Sequence, residues 1–281
     1  MKSHLVSVII TTKNEEKNIA NCLDSILQQT YPQKLIEIIV VDNSSTDKTK
    51  EIAKSYSKKM NIQIFNKGPE RSAQRNYGVD KSKGEYILYL DADMTLSKNI
   101  LNECVEKIGS NKYIGLYIPL RWVGKNWIIK AKGFEREFYD GTCLDAVRFV
   151  NKKSFQTVGG FDTNLYAAED WDLDKKIRQI GNVGIINSIM LHNEDDSINL
   201  SEYTNKMNYY SKNLVVYINK WGQNDSEIKK QFGFIYRGLI VFIEKGKWRK
   251  VISHPIMTFQ MYFLKIIALT VFQLKKKQLI N

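Results

Sequence analysis

The sequence predicts an α/β protein, a doubly wound mixed sheet flanked by helices and followed by a helical, basic and apolar C-terminal extension. Three observations predict this. Through the first 95 residues, apolar runs of strand type alternate with segments of helical period, the pattern of a mostly parallel sheet with crossover helices. The first, second and fourth runs each end in polar residues, as strands do along the ligand-binding edge of an open sheet. Beyond Asn199 the period becomes three and four residues, and long apolar stretches carry lysine and arginine at their flanks.

The elements follow in order. Val6 to Thr12 reads as a buried strand that ends in the polar turn Lys13-Asn14-Glu15-Glu16. Ile19, Leu23, Ile26 and Leu27 then share one helical face, and Tyr31-Pro32 ends that helix. Ile36 to Val41 forms the second strand, with Asp42 at its exit, and Asn43-Ser44-Ser45-Thr46-Asp47 opens a helix through Tyr56. Ile62 to Phe65 is the third strand and Ser72 to Asp80 the third helix. The fourth strand, from Tyr86, runs into Asp91-Ala92-Asp93. No G-x-G-x-x-G follows the first strand, so a dinucleotide fingerprint is absent.

Two carboxylates one residue apart at a strand exit can both approach a divalent cation. Such hard oxygen donors suit Mg²⁺ or Mn²⁺, with substrate phosphates completing the shell. Asp-rich triplets also cap strands as plain polar turns, and the motif alone leaves both readings open.

After this point the alternation breaks. A helix is expected over Lys98 to Ile108, a strand over Ile114 to Trp122, and a helical segment through Lys130, Phe134, Arg136 and Tyr139. A strand over Asp145 to Val150, the turn Gly159-Gly160-Phe161-Asp162 and a helix from Glu169 to Gly181 follow. That helix opens on Glu169, Asp170, Asp172 and Asp174, more acid than the macrodipole alone calls for. Asp172 and Asp174 are expected on its surface. A last strand, Val183 to Leu191, delivers His192.

Composition bounds the rest. The chain has 281 residues, 43% of them hydrophobic, enough for one large domain and a smaller attachment. Cys22, Cys104 and Cys143 are odd in number, widely spaced and lack metal-type spacing, which points to buried thiols in a reducing compartment. Met1-Lys2-Ser3-His4 leads directly into a strand without a signal-peptide core, so a cytoplasmic location is expected. The net charge is +12, and from Lys245 onward there are eight lysines and arginines and no acid. A basic surface can serve nucleic acid, anionic lipid or a phosphorylated substrate. No nucleic-acid-binding signature accompanies it.

In sequence order, Val6 to Glu15, Val40-Val41-Asp42-Asn43-Ser44-Ser45-Thr46-Asp47, Ala73-Gln74-Arg75-Asn76-Tyr77-Gly78, Asp91-Ala92-Asp93, Gly159-Gly160-Phe161-Asp162 and Glu169-Asp170-Trp171-Asp172-Leu173 resemble glycosyltransferase family 2. These are inverting, sugar-nucleotide-dependent enzymes of the GT-A fold, and the resemblance covers roughly residues 5 to 220. It implies a catalytic domain over 1–220, with a nucleotide-binding half at 1–95 and an acceptor half at 96–220. Residues 221–281 are then C-terminal helices.

The resemblance also implies roles. Thr11, Lys13 and Glu15 would hold the nucleoside, and Asp42 would accept from the base N–H, which uracil and guanine both offer. Arg75 would face the diphosphate; on its own residue type it could equally be a helix-surface arginine paired with Glu70 or Asp80. Asp93, with Asp91, would hold the metal, and His192 would complete that site or else be a hydrogen-bonded strand-end histidine. Asp170 would be the general base, since inversion needs a carboxylate opposite the leaving group and within reach of the acceptor hydroxyl. Glu169 would orient the acceptor or hold Asp170, and Trp171 would offer a sugar ring its face or lie in the core.

Partners follow from the same reasoning: a UDP- or GDP-linked sugar, a lipid-linked or glycan acceptor, the membrane surface, and no nucleic acid. Ile256 to Leu274 approaches spanning length, but Gln260, Lys265 and Gln273 interrupt it. The C-terminal helices are therefore expected to lie in a lipid interface, helped by Lys275-Lys276-Lys277, placing the protein on the inner face of the cell membrane. Packing on the protein or in a homodimer is the alternative fate of these helices. Competing functions are transfer to a polyprenyl phosphate, nucleotidyl transfer to a sugar phosphate, and a non-catalytic sugar-nucleotide-binding scaffold.

Overall fold

In a computed structural model the described residues are 4–194 and 196–280, without the side chains of 211, 212 and 272–280. The elements run β1 (Val6–Thr12), α1 (Ile19–Leu27), β2 (Ile36–Asp42), α2 (Thr49–Ser55), β3 (Ile62–Asn66), α3 (Arg71–Lys81), β4 (Tyr86–Asp91), β5 (Met94–Leu96), α4 (Ile100–Ile108), β6 (Gly115–Tyr117), β7 (Leu120–Val123) and α5 (Trp127–Arg136). Then come β8 (Phe149–Asn151), α6 (Lys152–Thr157), α7 (Glu169–Ile180), β9 (Val183–Ile185), β10 (Met190–Asn193), α8 (Leu200–Trp221), α9 (Ser226–Phe232), α10 (Val241–Ile243), α11 (Trp248–Ser253) and α12 (Pro255–Ile280). The chain forms two compact units: one of residues 1–120, 146–163 and 169–193, the other of 121–145, 164–168 and 194–281.

The first unit is built on a seven-stranded sheet in the order β3-β2-β1-β4-β8-β6-β9. β3, β2, β1 and β4 run parallel, β8 is antiparallel to both β4 and β6, and β9 returns parallel to β6. β1 and β2 are buried along their whole length, which is why they read as unbroken apolar runs. Their register sets Thr12 against Asp42 and Thr11 against Asp91, so three strands end level on one edge. Ile9, Ile39, Val41, Val79, Ile87, Tyr89, Phe161 and Leu173 belong to the core on that sheet.

α3 approaches this sheet closely. A Cβ on Gly78 would stand 2.4 Å from Ile9 Cγ2 and 3.2 Å from Val41 Cγ2, so only glycine fits there. Arg75 lies three residues earlier, on the same side of the helix, and is drawn beneath it.

Several expected elements are shorter. The Ile114 to Trp122 strand is two strands, β6 and β7, separated around Pro119, which lacks the N–H a ladder needs. The Asp145 to Val150 strand forms only at Phe149–Asn151, because Asp145 instead accepts from Arg136 and from Gly141 N at 2.8 Å. Val183 to Leu191 divides into β9 and β10.

In the second unit, Ile128, Ala131, Tyr203 and Leu264 bring α5, α8 and α12 together in one apolar cluster. Asn199 caps α8 with a reciprocal capping box to Glu202. Among the described residues no helix is long and apolar enough to cross a membrane. The side chains of Lys275, Lys276 and Lys277 lie outside the described residues. All three cysteines are free thiols; Cys22 and Cys104 are buried as expected, whereas Cys143 is only partly buried.

Candidate active site

The level edge of the sheet carries two loops stitched to each other. In the loop after β1, Asn14 N donates to Ser45 Oγ at 2.8 Å and Glu15 N to Thr49 Oγ1 at 2.7 Å. In return, Thr46 N donates to Asn14 Oδ1 at 2.9 Å. Lys13 is exposed on this rim and Glu15 is half-buried. Burial pushes the Glu15 carboxyl up, Asn18 opposes this by hydrogen bonding, and the negative charges of Asp93 and Asp91 push it further up. Glu15 thus shares an acidic field with the carboxylates after β4.

Asp42, wholly buried, turns back on its own loop. Its oxygens accept from Ser45 N at 2.9 Å and Ser45 Oγ at 2.5 Å, with Lys50 Nζ at 3.8 Å.

Arg75 is the centre of the charged network. Its guanidinium is fully buried, which excludes pairing on the helix surface with Glu70 or Asp80. Nη2 donates to Asp91 at 2.8 and 3.2 Å, and Nη1 donates to Asp170 Oδ1 at 2.8 Å and to Glu169 Oε1 at 3.5 Å. Its plane sits 5.2 Å from the Tyr89 ring centre and 5.1 Å from that of Phe161, close enough for cation–π attraction. Thr11 Oγ1 adds a 2.7 Å bond to Asp91 Oδ1. Burial alone would raise the Asp91 carboxyl, but Arg75, with Arg71 and Arg148, holds it well below the usual range.

The acidic pair opening α7 completes the network. Ala168, just before it, has φ +62°, a left-handed backbone costing a non-glycine residue about 1–2 kcal/mol. Asp170 gives Oδ1 to Arg75 and Oδ2 to Arg148 Nη2 at 3.0 Å. Burial would raise its carboxyl, but Arg148 and then Arg75 outweigh that and lower it. Glu169 moves the other way: burial and then Asp170 raise it, against Arg71 at 3.5 Å and Arg75. Two neighbouring carboxyls are thereby pushed in opposite directions. Trp171 is half-buried.

Asp172 and Asp174, expected on the helix surface, are both buried. Asp172 pairs with Lys176 at 3.2 Å, while Asp174 accepts from Val147 N at 3.2 Å and Arg178 Nε at 2.7 Å. The Lys176 and Arg178 pairs lie within α7, and Asp174 links the helix to the Val147 amide just before β8.

Next to the network, His192 on β10 places Nε2 3.1 Å from Asp93 Oδ2, since β10 runs antiparallel to β5 with His192 opposite Met94. Asp93 Oδ1 is buried and has no hydrogen-bond partner among the described residues. An orphaned carboxylate oxygen beside an imidazole is the donor chemistry of an open Mn²⁺ or Mg²⁺ position. The described residues contain no group of three His, Cys, Asp or Glu side chains that could hold a metal by themselves. The residues therefore fit a shared site, two protein donors with phosphate and water supplying the rest.

The residues expected at the site thus gather as one network (Thr11, Arg75, Asp91, Glu169, Asp170) and an adjoining pair (Asp93, His192), with Lys13, Glu15 and Asp42 in the stitched loops. Arg71, Arg148, Tyr89 and Phe161 were not expected. Arg148 had a visible signal, one charge inside the apolar run Ala146 to Val150.

This mixed sheet with its flanking helices matches glycosyltransferases of the GT-A fold. The mannosyltransferase PcManGT of Pyrobaculum calidifontis, solved with GDP-Man and Mn²⁺, superposes with a TM-score of 0.64 at 17% identity, covering 98% of this chain and 88% of that one. The family described as glycosyl transferase family 2 matches residues 7–153, and the chain belongs to that family. Among curated relatives, the glycosyltransferase AglE of Haloferax volcanii is 40% identical over 106 residues, 37% of this chain and 35% of its own. The poly(ribitol-phosphate) β-N-acetylglucosaminyltransferase TarS of Staphylococcus aureus is 32% identical over 165 residues, 57% of this chain and 27% of its own. A crystal structure of TarS residues 1–349 with UDP-GlcNAc has a TM-score of 0.58 at 18% identity, covering 98% of this chain and 92% of that one. The chain thus matches about a third of AglE and about a quarter of TarS.

Proposed function

We propose that the protein is an inverting glycosyltransferase that moves a sugar from a nucleotide-diphosphate donor to a hydroxyl of a lipid-linked or glycan acceptor, working at the cytoplasmic face of the cell membrane. The observation that carries this reading is the Asp91–Arg75–Asp170 bridge on the sheet edge, beside the Asp93–His192 pair. Sugar nucleotides in the PcManGT and TarS complexes support the donor class, UDP- or GDP-linked. The TarS name, with poly(ribitol-phosphate) in it, supports a polymeric acceptor that carries hydroxyls.

Thr11, Lys13 and Glu15 would line the nucleoside, and Asp42 would recognise the base by exchanging a Ser45 partner for the base N–H. Asp93 and His192, with Asp91 alongside, would hold Mn²⁺ or Mg²⁺, whose charge would offset the charge growing on the departing nucleoside diphosphate. Asp170 takes the proton of the acceptor hydroxyl as its oxygen attacks the anomeric carbon. Glu169 orients the acceptor, and the half-buried Trp171 offers its ring to a sugar. Arg75, out of solvent, acts on the diphosphate side through Asp91 and on the acceptor side through Asp170.

A membrane location is supported by the second unit. Phe234, Ile235, Ile252, Ile256, Phe259 and Ile266 are all more than three-fifths exposed, among lysines and arginines. Ordinary soluble surfaces carry such residues singly.

The test is Asp170→Asn. Turnover of the sugar nucleotide should fall close to zero, while UDP or GDP with Mn²⁺ still raises the melting temperature as in wild type. A substantial residual rate would instead favour a polyprenyl phosphate acceptor, an anion that needs no base. Release of pyrophosphate in place of a nucleoside diphosphate would mark nucleotidyl transfer. Absence of any donor turnover by wild type would leave a binding scaffold.

A further inference from the structure

We propose that Arg148 is a positioning residue for glycosyl transfer, holding Asp170 by the oxygen that Arg75 leaves free so that the carboxylate meets the acceptor in one orientation. The inference rests on Asp170 being the base.

A carboxylate joined to its chain through two rotatable bonds can present either oxygen at many angles. Here the two oxygens of Asp170 are taken by different arginines from different elements. Arg75 reaches Oδ1 at 2.8 Å from α3, and Arg148 reaches Oδ2 at 3.0 Å from the residue before β8. Two grips from separate elements fix the rotation about both bonds, and each oxygen keeps a lone pair for a third partner. Asp170 remains 22% exposed while Arg75 is wholly buried, so the open side of the carboxylate faces away from the arginine behind it.

Arg148 is itself held. Its backbone N–H donates to Leu116 O at 3.0 Å, and its carbonyl accepts from Tyr89 N at 3.3 Å. Its guanidinium sits 5.3 Å from the Tyr89 ring centre, so one ring carries both arginines. The Nη1 of Arg148 is buried and lacks a hydrogen-bond partner among the described residues. A buried guanidinium donor without a partner is destabilising, because it gives up its hydrogen bonds to water without replacing them. Such a cost is carried where the residue's placement serves something other than stability.

The groups that face Asp170 are Arg148, Arg75 and Arg71 as cations, Asp91 and Glu169 as acids, and the Tyr89 phenol. Removing Arg148 removes one cation from this set. The acid limb of the rate profile, where Asp170 takes up a proton and stops acting as a base, then moves to higher pH.

The experiment follows nucleoside diphosphate release from a panel of UDP- and GDP-sugars with Mn²⁺, water serving as acceptor, across pH 4 to 9. Arg148→Gln should lower kcat about 10- to 100-fold with the donor KM unchanged, and shift the acid limb up by about one pH unit. Arg148→Lys restores the charge but not the planar stack on Tyr89, so it should return the limb to its wild-type position with kcat still reduced. Where the glutamine variant does not fold, the lysine variant alone decides, and wild-type kcat in it overturns the proposal. An unchanged kcat and profile in Arg148→Gln, or a loss confined to donor KM, also overturns it. Asp170→Asn separates the two levels: an active asparagine variant removes the base, whereas an inactive one beside a normal Arg148→Gln removes only the role of Arg148.

Discussion

Arg75 and Asp170 are joined at 2.8 Å through Nη1, while the other terminal nitrogen of the same guanidinium holds Asp91 at the same distance. One buried cation therefore spans from the exit of β4 to the start of α7. The opposing pKa directions of Glu169 and Asp170 grow from this arrangement. The arginines reach Asp170 at hydrogen-bonding distance, but reach Glu169 only at 3.5 Å.

The first prediction concerns that cation. Arg75→Met keeps much of the side-chain volume but leaves Asp91, Glu169 and Asp170 without their shared partner in a buried setting. Losing one member of a buried ionic network typically costs about 3–5 kcal/mol. Urea unfolding of the variant should show a loss of that order, with donor turnover abolished. A variant that unfolds like wild type would mean that the bridge adds nothing to stability.

How much of this was legible in the sequence depends on the residue. Asp42 and Asp91 could be read because an apolar run ends on each, and a buried parallel strand has few other ways to deliver charge. The burial of Arg75 could not, since Arg71 to Lys81 is polar overall and its sheet-facing stripe shows only in small or partly polar residues. Gly78 was the one clue, and it speaks of close approach rather than of charge. Asp172 and Asp174 misled because acids in a first helical turn look like dipole partners. Lys176 and Arg178 lie one turn further along α7 itself, but the burial of both acids and the bond from the Val147 amide are fixed by how α7 lies on the sheet. Pro119 went unread as a strand break because Leu116, Tyr117, Ile118 and Leu120 on either side of it read as one apolar run.

A second prediction lies in the other unit. Glu135 accepts from Lys132 Nζ at 2.5 Å, from Lys265 Nζ at 2.8 Å and from the Tyr139 hydroxyl. Burial pushes Lys265 down to about 8; Glu135 works against this, and the nearby positive charge of Arg237 adds to it. Between about 8 and the ordinary lysine value of 10.5, the unfolded chain therefore binds more protons at this position than the folded one. Stability from this group rises with pH across that window and is lost as pH falls through 8. The unfolding free energy of wild type minus that of Lys265→Met should increase from pH 7 to pH 10 in urea titrations. A difference that is flat or falling would place Lys265 at its ordinary value.

The last prediction concerns lipid. Ile256 and Phe259, near the start of α12, are 72% and 73% exposed, three residues apart on one side of the helix. Each large apolar side chain moved from water into the acyl boundary gains about 1.5–3 kcal/mol, and each nearby lysine or arginine adds about 1 kcal/mol on an anionic surface. From Lys245 onward the chain carries basic residues and no acid, so both contributions have the same sign. Wild type should cosediment with vesicles of phosphatidylglycerol mixed into phosphatidylcholine, and much less with phosphatidylcholine alone. Raising salt from about 0.1 to 1 M shortens the screening length from about 10 to 3 Å, so it should weaken the charge contribution and leave the apolar one. Ile256→Asp combined with Phe259→Asp should abolish vesicle binding at low salt while donor hydrolysis in solution stays at the wild-type rate, because neither side chain belongs to the unit that holds the acidic network. Vesicle binding that survives the double substitution would show that lipid is held by another surface and not by this face.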